Sequence, residues 1–516
     1  MFKRVICCLF IYQLMACASL PENTSTKNYS LPQPEDSELV NQVLKKHQQI
    51  DLQDDEISML LLDEGIDAFV ARLSLINAAE SSIDLQYYLY HSDLSGALLT
   101  SALWNAAERG VRVRLLVDDM DLDGKDYDIA RLSSHPNFEV RIFNPFIRGK
   151  GRTSQYVTQL GSITRRMHNK SFTIDHSISI LGGRNIGDEY FGASTDVTFG
   201  DLDVLISGVA VEQVAESFDL YWNNQLSYPV ELLIDFEATD MTLSEVSEEI
   251  EVYLETNQNQ PYIKLLKNNE LIELVKKNEI KKYSGQAIIL YDDPLKITKS
   301  RDKTEYHLAP KLKPFMDSVQ NEIIIVSPYF VPGKEGIEFF EELITRGVTV
   351  KILTNSLKSN DVAIVHAGYS NYRKQLLKMG VQLYEMDSKL LLHADPNYKK
   401  VKNKIGSSKA SLHAKYFILD RHYTFIGSLN LDPRSFNENT EIGVIVDSDE
   451  LAIDLAESFD KNVPNIAFKL SLKDNDIVWD KVINNKKTTL YKEPYSSWWD
   501  RLMNGFMGIL PVESEL

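Results

Sequence analysis

At 516 residues the chain is long enough for two full domains, each with its own core. Its 74 acidic against 55 basic side chains give a net charge of −19, which argues against binding of nucleic acid, a partner that demands a broad basic surface. All 3 cysteines, Cys7, Cys8 and Cys17, lie at the N-terminus, so the body of the chain can hold neither a disulfide framework nor a thiolate metal site.

The chain opens on Lys3-Arg4 and an apolar run from Val5 to Met15, too short to span a bilayer. The run ends at Leu14-Met15-Ala16-Cys17, which resembles a bacterial lipoprotein cleavage box. Residues 1–16 are thus expected to be a signal peptide and Cys17 the lipid-bearing residue. Loss of Lys3 and Arg4 takes the charge to −19 − 2 = −21. Residues 17–55, rich in Pro, Ser, Asn and Glu between Pro21 and Asp36, read as a flexible tether. The expectation is a lipoprotein anchored in the bacterial envelope, facing the periplasm. Ala18 after the cysteine, rather than Asp, implies sorting to the outer membrane in such lipoproteins.

Residues 56–228 read as one α/β domain. Ile66, Phe69, Val70, Leu73 and Ile76 recur at helical spacing, and Val111 to Val117 is a buried strand. The segment His168 to Ile174 reads as a strand, which puts His168 and Lys170 on one face, with Asp175 at a hairpin tip where it holds the turn. Gly182-Gly183 ends the returning strand and leaves room for a phosphate to approach the backbone, while Asn185 can donate amide hydrogens to it. Residues 229–285, rich in Glu, Lys and Asn, read as a helical connecting insert.

Residues 286–465 then repeat the first domain. His168-x-Lys170-x4-Asp175-x6-Gly182-Gly183-x-Asn185 returns as His413-x-Lys415-x4-Asp420-x6-Gly427-Ser428-x-Asn430. Arg109-Gly110-Val111 returns as Arg346-Gly347-Val348, and Ala215-Glu216-Ser217-Phe218-Asp219 as Ala456-Glu457-Ser458-Phe459-Asp460. A lone strand histidine is usually structural; two copies with every spacing kept reverse that reading. The architecture expected is two duplicated α-β-α sandwich domains with mixed sheets about a pseudo-two-fold axis, one histidine from each meeting at the interface. Such a pair can divide nucleophilic and proton-transfer duties at phosphorus, with Lys170 and Lys415 neutralising the phosphoryl oxygens. Each half offers a carboxylate to orient an imidazole, Asp201 and, aligned with it, Glu441; Asp203 is read as structural. Arg165, Arg166 and Arg184 would add local positive charge for an anionic head group. The cluster Asn355-Ser356 to Asn360-Asp361 and His366-Ala367-Gly368-Tyr369 follows a strand end, near the site. In the extension 466–516, Trp498, Trp499, Leu502, Met503, Phe506, Met507 and Leu510 form an amphipathic helix that suits either a membrane interface or the protein's own surface.

The two motifs resemble those of the phospholipase D superfamily. Arg165 to Phe172, Gly182 to Asp188, Thr354-Asn355-Ser356-Leu357, Val365 to Tyr369 and the tail Ile509-Leu510-Pro511-Val512-Glu513 are similar, within it, to the bacterial cardiolipin synthases. The resemblance implies phospholipid substrates, contact with the bacterial membrane, and no metal or cofactor. It further implies a two-step phosphatidyl transfer: His168 forms a phosphohistidine, and His413 protonates the leaving alcohol and then activates the acceptor. The opposite assignment fits a symmetric pair nearly as well. Phosphatidylglycerol is the implied acceptor, possibly with phosphatidylethanolamine as co-substrate, and cardiolipin the product. A hydrolase releasing phosphatidic acid would carry the same residues, as would a superfamily nuclease, for which the acidic charge is awkward. Gly183 stands where Ser is usual in the family and costs one hydroxyl. Sequence alone leaves any partner protein unknown.

Overall fold

The computed structural model describes residues 19–158, 161, 163–234, 243–258, 260–277, 279–390, 409–483 and 486–508. The expected signal peptide, Cys17 and the tail from Ile509 lie outside the described residues. In chain order the first half supplies β1 (Glu56–Leu62), β2 (Ser82–Tyr87), β3 (Arg112–Asp118), β4 (Phe138–Phe143), β5 (Ser171–Ile174), β6 (Ile178–Gly182), β7 (Val197–Gly200), β8 (Asp203–Gly208) and β9 (Ser227–Pro229). The second supplies β10 (Tyr283–Tyr291), β11 (Glu322–Val326), β12 (Thr349–Asn355), β13 (Gln382–Met386), β14 (Lys409–Leu412), β15 (Tyr416–Leu419), β16 (Tyr423–Gly427), β17 (Ile442–Asp447), β18 (Ala467–Lys473), β19 (Asp476–Ile483) and β20 (Lys486–Leu490).

Across the first sheet the order is β9-β4-β3-β2-β5-β6-β8-β1, with β2, β3 and β4 parallel and the rest antiparallel. The second repeats it strand for strand as β18-β13-β12-β11-β15-β16-β17-β10. Helices such as Gly65–Ala78 and Leu94–Glu108 return the chain between parallel strands, as such crossovers require. Gly110 and Gly347, at φ +93° and +86°, end equivalent helices in the left-handed conformation before β3 and β12. β1 and β10 pair antiparallel from Glu56↔Gln286 to Met59↔Tyr283, so the two sheets continue as one of 18 strands. A shared core including Met59, Val204, Ile206, Ile324, Ile418 and Val444 joins the halves, and each half keeps a separate core beneath its helices. Among the described residues no helix is long and apolar enough to cross a membrane.

Three expectations change. Residues 19–55 are strapped down rather than loose. Asn28 donates to Glu139, Ser30 accepts from the buried Arg114 and lies against Asp219, and helix Glu38–Gln49 places His47 on Ser207. The polar composition that suggests a tether instead satisfies buried charges. The second domain does not stop at residue 465, because β18 pairs with β13 as β9 pairs with β4. Finally, His168 and Lys170 precede β5 instead of lying within it. Their backbone is drawn toward the other half, where the His168 amide donates to the Thr440 carbonyl at 2.8 Å. The insert consists of helices Val230–Leu233, Leu243–Asn257, Pro261–Lys267 and Leu271–Lys276 among the described residues, and β10 follows at Tyr283.

Candidate active site

Both hairpins turn on two residues with positive φ, Asp175 and His176 (+47°, +50°) and Asp420 and Arg421 (+52°, +55°). This is the geometry of a tight turn that matches strand twist, and aspartate tolerates it. The Asp175 carboxylate also accepts the amides of Glu80, Ser81 and Ser82 at 2.8–2.9 Å, which fixes the start of β2. Asp420 does the same for Gln320, Asn321 and Glu322 at 2.7–2.9 Å, at the start of β11. Both aspartates brace the strand neighbouring the hairpin and touch neither histidine.

At the seam the halves exchange backbone bonds. Thr440 pairs with Met167 as a parallel bridge, and on the pseudo-equivalent side β7 and β14 form a parallel ladder from Val197↔Lys409 to Gly200↔Leu412. The residue after each contact is a carboxylate, and it reaches the histidine of the opposite half. His168 Nδ1 lies 2.8 Å from Glu441 Oε2, and His413 Nδ1 lies 2.6 Å from Asp201 Oδ2. The two orienting carboxylates are the expected ones, but each serves the other half's imidazole. On both rings Nδ1 is held by a carboxylate and Nε2 is not, although Lys415 Nζ lies 3.3 Å from His413 Nε2.

The lysines bend back along the chain: Lys170 Nζ donates to the His168 carbonyl and Lys415 Nζ to the His413 carbonyl, each at 2.5 Å. All six side chains are buried. Burial, then the charges of Lys170 and Lys415, hold the His168 imidazole well below its usual pKa, so it is neutral near pH 7. Burial and Lys415 lower His413 as well, opposed there by Asp201. The carboxylates diverge. Burial pushes Glu441 up to about 7 against the pull of Lys170 and Ser428. For Asp201 burial also acts upward, but His413 and Lys415 outweigh it and bring the group to about 2. Burial brings Lys415 down to about 8 and drives Lys170 well below its usual value.

The glycine-rich ends have a structural reason. A Cβ on Gly182 would stand 2.6 Å from the Asp203 Cα, and one on Gly427 would stand 2.4 Å from the Ile442 carbonyl oxygen, so neighbouring backbones fill the space. A Cβ on Gly183 would meet Asp201 Oδ1 at 2.2 Å, whereas Ser428 Oγ donates to Glu441 Oε2 at 2.5 Å. The Gly/Ser difference therefore matches a difference in how the two carboxylates pack. Asn185 is also spent internally, accepting from the Leu89 amide and donating to the Tyr190 hydroxyl. Asn430 is buried with its Oδ1 unpartnered.

The arginines expected to hold an anionic head group are committed elsewhere. Arg165 binds Glu438, Arg166 binds Asp118 and backbone carbonyls, and Arg184 binds Asp203 and the carbonyls of Leu62, Asp63 and Asp201. Asp203 also holds the buried Arg72 at 2.8 Å. Sequence reasoning missed the aromatic walls: Tyr88 edge-on to His168 at 5.0 Å, Phe199 stacked on His413 at 5.2 Å, and Tyr190 edge-on to His413 at 5.1 Å. It also missed Arg434, whose charge reaches His168, and Asp292, which accepts the Glu441 amide at 2.7 Å. Tyr190 lies shortly after the first motif, a proximity too common to single it out, and Tyr88 lies far from both motifs in sequence and is brought to His168 only by the fold. From the looser cluster, Asn355 clamps Leu412 by both its amide and its carbonyl at 2.9 Å, and Asp361 lends negative charge to His413.

Comparison with known proteins bears on the family and the fold. A family model described as "Cardiolipin synthase, PLD-like domain" matches residues 73–222 and 312–463. The chain is 40% identical over 465 residues to "Cardiolipin synthase C" of Escherichia coli (strain K12), spanning 88% of this chain and 94% of that protein. It is 26% identical over 407 residues to a "Cardiolipin synthase" of Clostridium perfringens (strain 13 / Type A), spanning 78% and 70%. The fold is shared with the crystal structure of a phosphatidylserine synthase from Haemophilus influenzae Rd KW20, at a TM-score of 0.57 and 13% identity, over 92% of this chain and 100% of that one. With two motif-bearing halves, both matched by the family model, the chain belongs to the cardiolipin synthase family of phospholipase D-like enzymes.

Proposed function

We propose that the enzyme joins two phospholipids into cardiolipin by phosphatidyl transfer through a phosphohistidine on His168. The observation that carries this reading is the pair of buried imidazoles, each held at Nδ1 by the opposite half's carboxylate. In the first step His168 Nε2 forms the bond to phosphorus, the phosphorus–oxygen bond of the donor's head-group alcohol breaks, and His413 gives that oxygen a proton. In the second step His413 takes the proton of the acceptor hydroxyl, the new phosphorus–oxygen bond forms, and His168 leaves. A nucleophile needs a free lone pair, which suits the strongly depressed His168. A general acid needs an imidazolium, and at His413 the ionised Asp201 opposes the lowering by burial and Lys415. Lys170 and Lys415 counter the charge that grows on the phosphoryl oxygens.

The terminal hydroxyl of phosphatidylglycerol is the acceptor, with phosphatidylglycerol or phosphatidylethanolamine as donor. Lipidation at Cys17 tethers the enzyme to the periplasmic side of the envelope, where both lipids are at hand. Expression in bacteria devoid of cardiolipin tests the reading. The natural chain restores the lipid, and His168→Ala and His413→Ala do not. Phosphatidic acid as the sole product would replace transfer by hydrolysis, and restoration by either variant would refute the assigned chemistry.

A further inference from the structure

Helix Trp498–Met507 is turned the opposite way from a surface helix that contributes to a core. Its polar side faces the protein: Asn504 is buried and donates to Ser370 Oγ at 3.2 Å, Asn371 donates to the Gly508 carbonyl at 3.0 Å, and Asp500 pairs with Lys358 at 2.8 Å. Its apolar side faces outward, with Trp498 66%, Trp499 60%, Phe506 60% and Leu502 46% exposed. A capping box between Ser497 and Asp500 fixes the first turn, so the face is presented by an ordered helix. Exposing this much aromatic and aliphatic surface in one stripe is costly in water and marks a contact surface.

We infer that this helix docks the enzyme on the interface of a phospholipid bilayer, with its indoles at the level of the head groups. The inference rests on the reading that the substrates are phospholipids, and three further observations favour a bilayer over a protein partner. Tryptophan and phenylalanine flanked by small or polar residues suit the head-group layer. Among the described residues Glu493 is paired with Arg373 and Asp500 with Lys358, while Arg501 adds a positive charge on the helix of an otherwise acidic protein. Lastly, the helix rests on helix Ala363–Ser370. That helix follows the loop that starts after Asn355, which clamps Leu412 beside His413, and that carries Asp361, whose charge reaches His413 and Lys415. A docked helix thus stands one element away from the wall of the second histidine, where a head group leaving the membrane plane must arrive.

The chain's 5 tryptophans make the test direct, since Trp104, Trp222 and Trp479 are buried in the cores and only Trp498 and Trp499 can meet lipid. The full chain is reconstituted in vesicles of phosphatidylglycerol and phosphatidylethanolamine with acyl chains brominated near the head group. Bromine is expected to quench the tryptophan emission, and Trp498→Ser with Trp499→Ser is expected to abolish the quenching. The double variant should turn over short-chain phospholipids dissolved as monomers at the natural rate, and vesicle lipids about tenfold or more slowly. Emission that stays open to aqueous iodide on vesicles, or a helix shielded only by concentration-dependent self-association, overturns the inference. If neither variant nor natural chain turned over any lipid, the proposed function would fall, while bromine quenching would still report docking.

Discussion

Replacing Asp201 by Asn separates the two histidines' duties with one atom's change. The Asp201 carboxylate is fully buried and 2.6 Å from His413 Nδ1, so the substitution removes the charge that stabilises a His413 imidazolium without emptying the space. Two unit charges about 4 Å apart at an effective dielectric of about 20 interact by about 4 kcal/mol. That corresponds to about three decades in the rate of a step needing protonated His413. Alcohols of phospholipid head groups are poor leaving groups and require that proton, whereas p-nitrophenol does not. Asp201→Asn should therefore slow phosphatidylglycerol turnover by about 1000-fold yet release p-nitrophenol from a phosphatidyl ester in a rapid burst of one equivalent per enzyme. Turnover then stalls, because the acceptor still waits for His413 as base. Rapid-quench kinetics with intact-mass detection of phosphorylated His168 reads both phases. Glu441→Gln, which removes the carboxylate that holds His168 Nδ1, should suppress the burst as well. A burst retained in Glu441→Gln and lost in Asp201→Asn would show that the crossed carboxylates serve the reverse assignment.

Lys415, lowered to about 8 by burial, is cationic below that pH and neutral above it. The kcat/KM profile, which reports the free enzyme, should accordingly fall on the alkaline side with an apparent pKa of about 8, and Lys415→Arg should move that limb beyond the measurable range; an unmoved limb would assign it elsewhere. Asp175→Ala leaves three amides, that of Ser82 buried and those of Glu80 and Ser81 part-buried, without their charged acceptor and should cost about 3 kcal/mol of stability. A calorimetric Tm lowered by several degrees, with kcat per folded molecule unchanged, would place the third letter of the motif in the scaffold; a loss of kcat at unchanged Tm would place it in the chemistry.

The duplication, the hairpins and the identity of the two orienting carboxylates were legible because spacing is a one-dimensional property that strand geometry converts directly into position. His168 and His413 at the seam follow from symmetry alone. What spacing cannot carry is which half's carboxylate meets which histidine. That depends on Thr440 pairing beside Met167 and Gly200 pairing beside Leu412, contacts between chain segments more than 200 residues apart. Arg165, Arg166 and Arg184 were misread for a related reason. A cation close to a motif in sequence suggests an anion site, but in a buried seam the backbone carbonyls and carboxylates claim it first. The N-terminal strap was hidden because a polar, Pro-containing stretch has the same composition whether it is solvated or laid across buried charges such as Arg114.

The departure of Gly183 from its counterpart Ser428 is where the two halves stop being equivalent. A pseudo-two-fold site built of identical parts would leave both imidazoles with equal proton affinity and no reason for one to attack. Here the shorter Asp201 takes the space a Cβ at position 183 would need, while the longer Glu441 receives the Ser428 hydroxyl. Asp201 faces His413 with Lys415 close by and stays ionised at about 2; Glu441, more deeply desolvated than compensated, rises to about 7. The imidazole beside the ionised partner keeps a proton more readily, and the imidazole beside the protonatable partner, pressed by Lys170 and Lys415, gives its proton up. Burial, which the Ser428 hydroxyl opposes at Glu441 and which His413 and Lys415 outweigh at Asp201, is thus the source of the asymmetry on which the proposed division into nucleophile and acid rests.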